Sequence, residues 1–320
     1  MNLPTHVPLA AQSRGDAVES IHYGSLVATS PDGAVIHSLG DAAAGFYPRS
    51  ALKPLFAVGI LRAGLALTSE QIALASASHN GSDRHQQVAF STLAAAGLDE
   101  SALANSTDLP YGQAEREAWL RAGNGPTRLA QNCSGKHAAL AALCVHRGWP
   151  VDGYLEAGHP VADLLRGSVE ELTGETAGTT SIDGCGTPVY TISLAGLARA
   201  FGRLASAADG TPERRVADAM RAHPELVAGE GRDVTTVMRA VPGLVAKDGF
   251  EGIQAIRLPD GTGLALKISD GGDRARMPVA AAALTRLVAD PALSAALQPL
   301  LSVPALGGGH RVGELTAVVP

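Results

Sequence analysis

Apolar and polar positions along the chain divide it into strand-like ends and a helical middle. Ser20–Thr29 and Ala34–Leu39 read as two strands, and Ser30-Pro31-Asp32-Gly33 between them is a hairpin signal. An apolar helical run comes next, from Leu55 to Leu67. Ser69–Ala77 reads as a short helix entering the turn Ser78-His79-Asn80-Gly81-Ser82, and Arg84–Ala96 as a helix closed by Gly97. Residues 98–130 are polar and broken by Pro110, Gly112, Gly123, Gly125 and Pro126. Helical patterns return at Gly135–Arg147, Val161–Leu172, Ile192–Ala207 and Pro212–His223, with a tight Gly-rich turn at Ile182–Pro188. Gly252–Leu258 and Gly263–Ser269 are strands around Pro259-Asp260-Gly261-Thr262, Arg274–Ala289 is a helix, and Val312–Val318 is a last strand. Residues 1–19 read as an irregular lead-in.

This order predicts an α/β (α+β) chain, with an antiparallel sheet built from the N- and C-terminal parts and a mainly helical middle. The expected organisation is one domain over residues 1–320. Its sheet-containing part is 20–60 with 190–320, and its mainly helical part is 61–189. Small-molecule sites favour clefts between such regions.

Composition narrows the function. The chain has 320 residues, 46% of them hydrophobic, which suits an ample core. Aromatics are 4% and the net charge is −6 with no basic run, which argues against nucleic acid or an anionic membrane as a partner. No stretch reaches the ~20 continuous apolar residues of a membrane span. Met1–Glu19 lacks the basic start and apolar block of a signal peptide, so a cytoplasmic location is expected. The three cysteines do not suggest a disulfide framework. Cys144 lies in a buried-helix pattern, whereas Cys133 and Cys185 lie in Gly-rich turns.

The chemistry centres on Tyr47-Pro48-Arg49-Ser50-Ala51-Leu52-Lys53-Pro54. Pro54 suits the first turn of a helix, where its missing N–H is no loss. Ser50 and Lys53, three apart, then lie on one helical face. A neutral Lys amine can take the proton from a Ser hydroxyl and make it a nucleophile. A Ser-x-x-Lys is also an ordinary helix start, so the polar clusters further along the chain decide its weight. Ser78-His79-Asn80 is a second such cluster, in a turn that Ser and Asn favour anyway. Lys267 interrupts the apolar strand Gly263–Ile268 and precedes Ser269-Asp270-Gly271-Gly272. Cys133, Lys136 and Cys185 offer two thiolates, which match Zn²⁺, and a C-x-x-ligand spacing with Lys as a rare third donor, or else are two half-buried thiols with Lys136 at a helix start.

The order Ser-x-x-Lys, Ser-x-Asn, strand Lys resembles the serine β-lactamase and penicillin-binding-protein superfamily, including its glutaminase relatives. Here the first two motifs are unusually close, and Lys267-Ile268-Ser269 replaces the usual Lys-Thr-Gly. Asn132-Cys133-Ser134-Gly135-Lys136-His137 and Asp183-Gly184-Cys185-Gly186-Thr187-Pro188 sharpen the match. Together with Arg49–Pro54, Ser78-His79 and Lys267–Gly272, they resemble the metal-dependent asparaginase II family of the type first described from rhizobia.

The resemblance implies a β-lactamase-like fold and two Ser-Lys tandems, Ser50 with Lys53 and Ser78 with Lys267. It also implies hydrolysis of L-asparagine to aspartate and ammonia, with Zn²⁺ at Cys133, Lys136 and Cys185, and a homodimer. Arg49, His79 and Asp183 are candidates to hold the substrate's ammonium and carboxylate. Relatives usually carry Glu where Ser82 stands. The residues alone leave open which Ser attacks. A penicillin-recognising hydrolase or glutaminase-like amidase on the same fold, and a non-catalytic amino-acid-binding module, are the alternative readings.

Overall fold

The computed structural model describes residues 3–319. In chain order its strands are β1 (Val7–Arg14), β2 (Ala17–Thr29), β3 (Val35–Leu39), β4 (Thr180–Ile182), β5 (Pro188–Tyr190), β6 (Val245–Gly249), β7 (Ile253–Arg257), β8 (Gly263–Ile268), β9 (Ser302–Gly307) and β10 (His310–Ala317). The helices are α1 (Lys53–Arg62), α2 (Ser69–Ala75), α3 (Asp83–Ala95), α4 (Gln113–Arg121), α5 (Ser134–Arg147), α6 (Pro160–Thr173), α7 (Leu194–Ser206), α8 (Pro212–Ala222), α9 (Pro224–Val227), α10 (Asp233–Ala240), α11 (Arg276–Leu287) and α12 (Pro291–Leu297). The expected fold class is the one observed: an antiparallel sheet from both ends of the chain, flanked by helices. Two compact units divide the chain. The first comprises residues up to Ala51, Ile192–Arg203 and from Thr236 onward; the second comprises Leu52–Thr191 and Leu204–Thr235.

In the first unit the sheet runs β6-β7-β8-β2-β1-β10-β9, with β3 also on β2. The long strand β2 is its spine. Ala17–Gly24 pairs with β1, Leu26–Thr29 pairs with β3, and Gly24–Thr29 pairs with β8 on the opposite edge. The paired half of β2 toward its C-terminal end is buried on both faces, which fits its continuous apolar run Leu26-Val27-Ala28. α11 packs on β1, β7, β8 and β10 through an Ala-rich face. β8 approaches α7 so closely that a Cβ on Gly263 would meet the Ala198 carbonyl oxygen at 2.2 Å.

The lead-in expected to be irregular over residues 1–19 instead contains β1 and the start of β2. Pro8 lacks an N–H and sits at a register shift in the ladder, where a strand tolerates proline. That break, and a ladder partner as distant as β10, conceal the strand from local pattern. The polar stretch 98–130 contains α4, a helix with no buried residue and so no apolar stripe to reveal it.

The second unit is built around α5. Its residues Ser134–Cys144 are all buried, and it packs on α1, α2 and α3. Ala138, Ala139, Ala141 and Ala142 keep that helix narrow, and Leu140 and Leu143 each contribute about 2 kcal/mol of burial. Gly135 permits the start of α5 to press on α2, since a Cβ there would meet Leu74 O at 2.5 Å. The β4–β5 hairpin presents the turn between Ile182 and Pro188. Among the described residues, no helix is long and apolar enough to cross a membrane.

Gly263→Ala should destabilise the protein by about 1–3 kcal/mol or more, because backbone faces the added methyl. Gly167→Ala, inside α6 with nothing within 4 Å, should instead raise Tm. Thermal denaturation of the two variants checks both signs.

Candidate active site

Ser50 lies in a single 3₁₀ turn, Arg49–Leu52, of the first unit. Arg49 has φ 54°, in the left-handed region that non-glycine residues avoid. Such a residue costs about 1 kcal/mol or more and persists where its surroundings impose it. Pro48 O accepts the Ala51 N–H at 3.1 Å, and the Arg49 guanidinium lies 5.4 Å from the centre of the Phe250 ring. Pro48 O sits where a Cβ on Gly249 would be, only 2.4 Å away. The turn is thus clamped from the end of β6, and it leaves Ser50 half-buried.

Lys267 is on β8, directly opposite Ser25 and Ile253. Its Nζ donates to Glu251 O at 2.6 Å and Ile268 O at 2.5 Å. Burial pushes its pKa down, against the opposing charges of Glu251 and Asp270. A cavity of about 60 Å³ lies beside it, lined also by His6, Ser25 and Asp41. The turn after β8 is pinned by Asp270, which accepts the Gly272 N–H at 2.7 Å and a bond from His22 Nδ1 at 2.9 Å. Arg274 Nε donates to His22 Nε2, so the His22 proton that reaches Asp270 is on Nδ1.

The second unit holds Lys53, Ser78, His79, Cys133, Lys136, Asp183 and Cys185. Lys53 opens α1, with Pro54 in the first turn as expected. Its amine is fully buried and donates to Ala77 O and to Ser78 Oγ, the latter at 3.1 Å. Residues 78–80 are laced on both sides by backbone bonds. Ser78 N–H and Asn80 N–H donate to Val227 O and Ala228 O at 2.9 and 2.8 Å, and His79 N–H donates to Asn132 O at 3.1 Å. His79 is completely buried. Its Nε2 lies 2.9 Å from Ser134 Oγ, its ring stacks on His85, and its Nδ1 meets no partner. Burial, with His85 and Lys53 nearby, holds its pKa well below the usual value, so it is neutral at pH 7.

Cys133, Lys136 and Cys185 come together. Lys136 Nζ lies 3.1 Å from Cys185 Sγ and 2.6 Å from Thr187 Oγ1. The adjacent Cys133 and the Lys136 charge hold the Cys185 thiol below its ordinary pKa, against burial. Cys133, whose thiol donates to Asn132 Oδ1 at 3.1 Å, is pushed up by the neighbouring Cys185 and by burial. Burial pushes the Lys136 amine down, but the Cys185 and Cys133 sulfurs more than reverse this. One amine and two sulfurs thus share a buried site. His137, buried next to Lys136, is pushed down to about 4. Asp183 is half-buried in the β4–β5 turn, where its Oδ1 accepts the Gly184 N–H at 2.9 Å. Among the described residues, no three His, Cys, Asp or Glu are grouped to hold a metal ion, so a metal here depends on Lys136 as a donor. Cys144 is buried within α5, as its pattern suggests.

The sequence matches the model of the L-asparaginase II family over residues 10–317. The chain belongs to this family. No curated protein matches it. Among solved structures it is similar to Mglu in its glutamate form, at 16% identity and TM-score 0.46, over 82% of this chain and 60% of that one. The chain therefore spans less than two thirds of Mglu. It is also similar to EstCE1, a hydrolase with promiscuous acyltransferase activity, at 13% identity and TM-score 0.43, over 80% of this chain and 92% of that one. A β-lactamase from Mycobacterium bovis matches at 15% identity and TM-score 0.37, over 82% of this chain and 94% of that one.

Ser82, where the resemblance leads one to expect Glu, caps α3. Its Oγ lies 2.6 Å from His85 Nδ1, and the backbone and side chain of the two residues bond reciprocally. Sequence pattern assigns no role to His137, Thr187 or Tyr154. The first two stand inside the Cys133 and Cys185 motifs, whereas Tyr154 stands outside them and is brought in by folding alone.

Ser82→Ala should cost about 1 kcal/mol of stability, and Ser82→Asp, which also caps, should retain most of it. Urea denaturation of the two variants measures the difference.

Proposed function

We propose that the chain is an amidohydrolase acting on L-asparagine, with Ser50 as nucleophile and Lys53 as its base. The observation that carries this is the buried Lys53 amine, three residues after Ser50, within 3.1 Å of the Ser78 hydroxyl. Family membership supports an amidohydrolase; the substrate and the roles of individual residues are the proposal.

In the first half-reaction Ser50 Oγ attacks the side-chain amide carbon, and Lys53 takes its proton. Lys53 returns a proton through Ser78 Oγ to the leaving nitrogen, so the C–N bond breaks as ammonia departs. Lys267 is assigned as a second base, its lowered pKa favouring the neutral amine that can accept a proton. Backbone N–H groups of Ser50 and of the β8 strand stabilise the oxyanion, such a donor contributing about 3 kcal/mol. Water then attacks the ester by the reverse proton path, giving aspartate and free Ser50. Arg49 and Asp183 are assigned to the substrate's carboxylate and ammonium, and His79 to holding the Ser78 turn.

The residues present fit a zinc ion: two sulfurs and an amine converge, one sulfur already favouring the thiolate. Cys133, Lys136 and Cys185 would hold it, with Lys136 neutral, and a bound cation would supply an anchor for a polar substrate group. The Ser-Lys apparatus makes a metal-generated hydroxide redundant. A homodimer, the state implied by the resemblance, completes the proposal; a monomer mass by light scattering would remove it.

Ammonia release from asparagine and glutamine tests the reading. Ser50→Ala and Lys53→Met should each lower kcat at least about a hundredfold, as for residues of a nucleophile–base unit. Undiminished activity in Ser50→Ala excludes that nucleophile. Turnover of glutamine alone moves the chain to a sister amidase, stable acylation by penicillin to a penicillin-recognising enzyme, and aspartate binding without turnover to a binding module. Stripping the metal with a chelator should mainly raise KM. Loss of kcat, restored by zinc in a protein still folded by circular dichroism, would show that the metal takes part in the chemical step.

A further inference from the structure

Cys185 ends a hydrogen-bond chain that begins at the backbone of Ala104. Ala104 N–H donates to Tyr154 Oη at 3.0 Å, and that oxygen lies 2.8 Å from His137 Nδ1. His137 Nε2 lies 3.2 Å from Thr187 Oγ1, which lies 3.3 Å from Cys185 Sγ. Lys136 Nζ donates to the same Thr187 oxygen at 2.6 Å. Tyr154, His137, Thr187, Lys136 and Cys185 are all buried, so none of these groups turns to solvent instead.

Proton accounting leaves one arrangement. The Tyr154 oxygen already accepts from Ala104, and its own O–H has His137 Nδ1 as its acceptor. A proton on His137 Nδ1, alone or in addition to one on Nε2, would strand that O–H at a cost of about 1–3 kcal/mol. The ring proton is therefore on Nε2, which faces both Thr187 and Cys185. The Thr187 oxygen then accepts twice, from His137 and Lys136, and its single proton is left for the Cys185 sulfur.

We propose that Tyr154, His137 and Thr187 are positioning residues for the Cys133, Lys136 and Cys185 site. They deliver one O–H to the Cys185 sulfur and fix the directions in which it offers its remaining lone pairs. Partners of this kind, one step removed from a metal, orient the ligand and tune its affinity. The inference rests on reading those three residues as a metal site, and its test separates the two.

Two measurements on the full chain decide it. The first is a long-range ¹H–¹⁵N spectrum of the histidine rings without metal, with His137 assigned by its loss in His137→Gln. The expected state is the Nε2–H tautomer, shifted toward Nδ1–H in Tyr154→Phe; an Nδ1–H ring in the wild type overturns the chain of bonds whether or not metal binds. The second is zinc affinity by competition with a chromogenic chelator. Thr187→Val should weaken it about tenfold or more, and Thr187→Ser should restore it. Wild-type affinity in a folded Thr187→Val overturns the positioning role. A wild type that binds no zinc yet shows the Nε2–H tautomer removes the metal reading and leaves the hydrogen-bond chain standing.

Discussion

Withdrawing a lysine amine from water is costly unless acceptors meet it, and this requirement organises the second unit. Lys53 is met by Ala77 O and Ser78 Oγ, Lys136 by Cys185 and Thr187. Each amine thereby ties a helix start to a turn from elsewhere in the chain: α1 to the end of the α2 segment, and α5 to the β4–β5 hairpin. His79 joins the two arrangements, because its backbone and ring bond to Asn132 and Ser134 at the entry to α5. Lys267 obeys the same constraint in the first unit, resting on carbonyls of Glu251 and Ile268. The chain has only four lysines, and the remaining one, Lys247, is also buried, against Asp248. Positive charge on the surface is left to arginine, whose guanidinium is more useful there for forked pairing.

Much of this was legible in the amino-acid pattern. Ser20–Thr29, Gly263–Ser269 and the helices at Arg84, Gly135, Val161 and Pro212 carry strong local periodicity, and they stand within a few residues of their expected bounds. The elements that stayed hidden lack local cause. β1 carries Pro8 and owes its existence to ladders with β2 and β10, and α4 buries no residue. The strands β4, β5, β6 and β9 have three to six residues each, too short for a period to show. Within the site, side chains of distinctive chemistry announced themselves by type and spacing. Partners of ordinary chemistry did not: Thr187 is read as a turn residue and Tyr154 as core until the fold sets them in line with His137. Ser82 gave the opposite lesson. As a departure from relatives it suggests a lost group, yet locally it is a well-formed helix cap.

The way β2 is shared has a consequence for how the protein is made. Its partners come from both ends of the chain: Ala10 on β1 lies opposite Ala317, and β2 itself pairs with β8. On the ribosome β2 emerges early and keeps an unpaired apolar edge until residues 263–268 arrive, the kind of edge that invites association with other chains. The second unit waits as well, since the backbone of Ser78 and Asn80 is latched by Val227 and Ala228. Synthesis thus delivers Ser50 and Lys53 long before Lys267, and the pairing that closes the sheet between β2 and β8 is the same event that sets Lys267 opposite Ser25. Under the proposed mechanism a growing chain carries its nucleophile without its full proton relay, so hydrolytic competence arrives with the completed sheet and not before it.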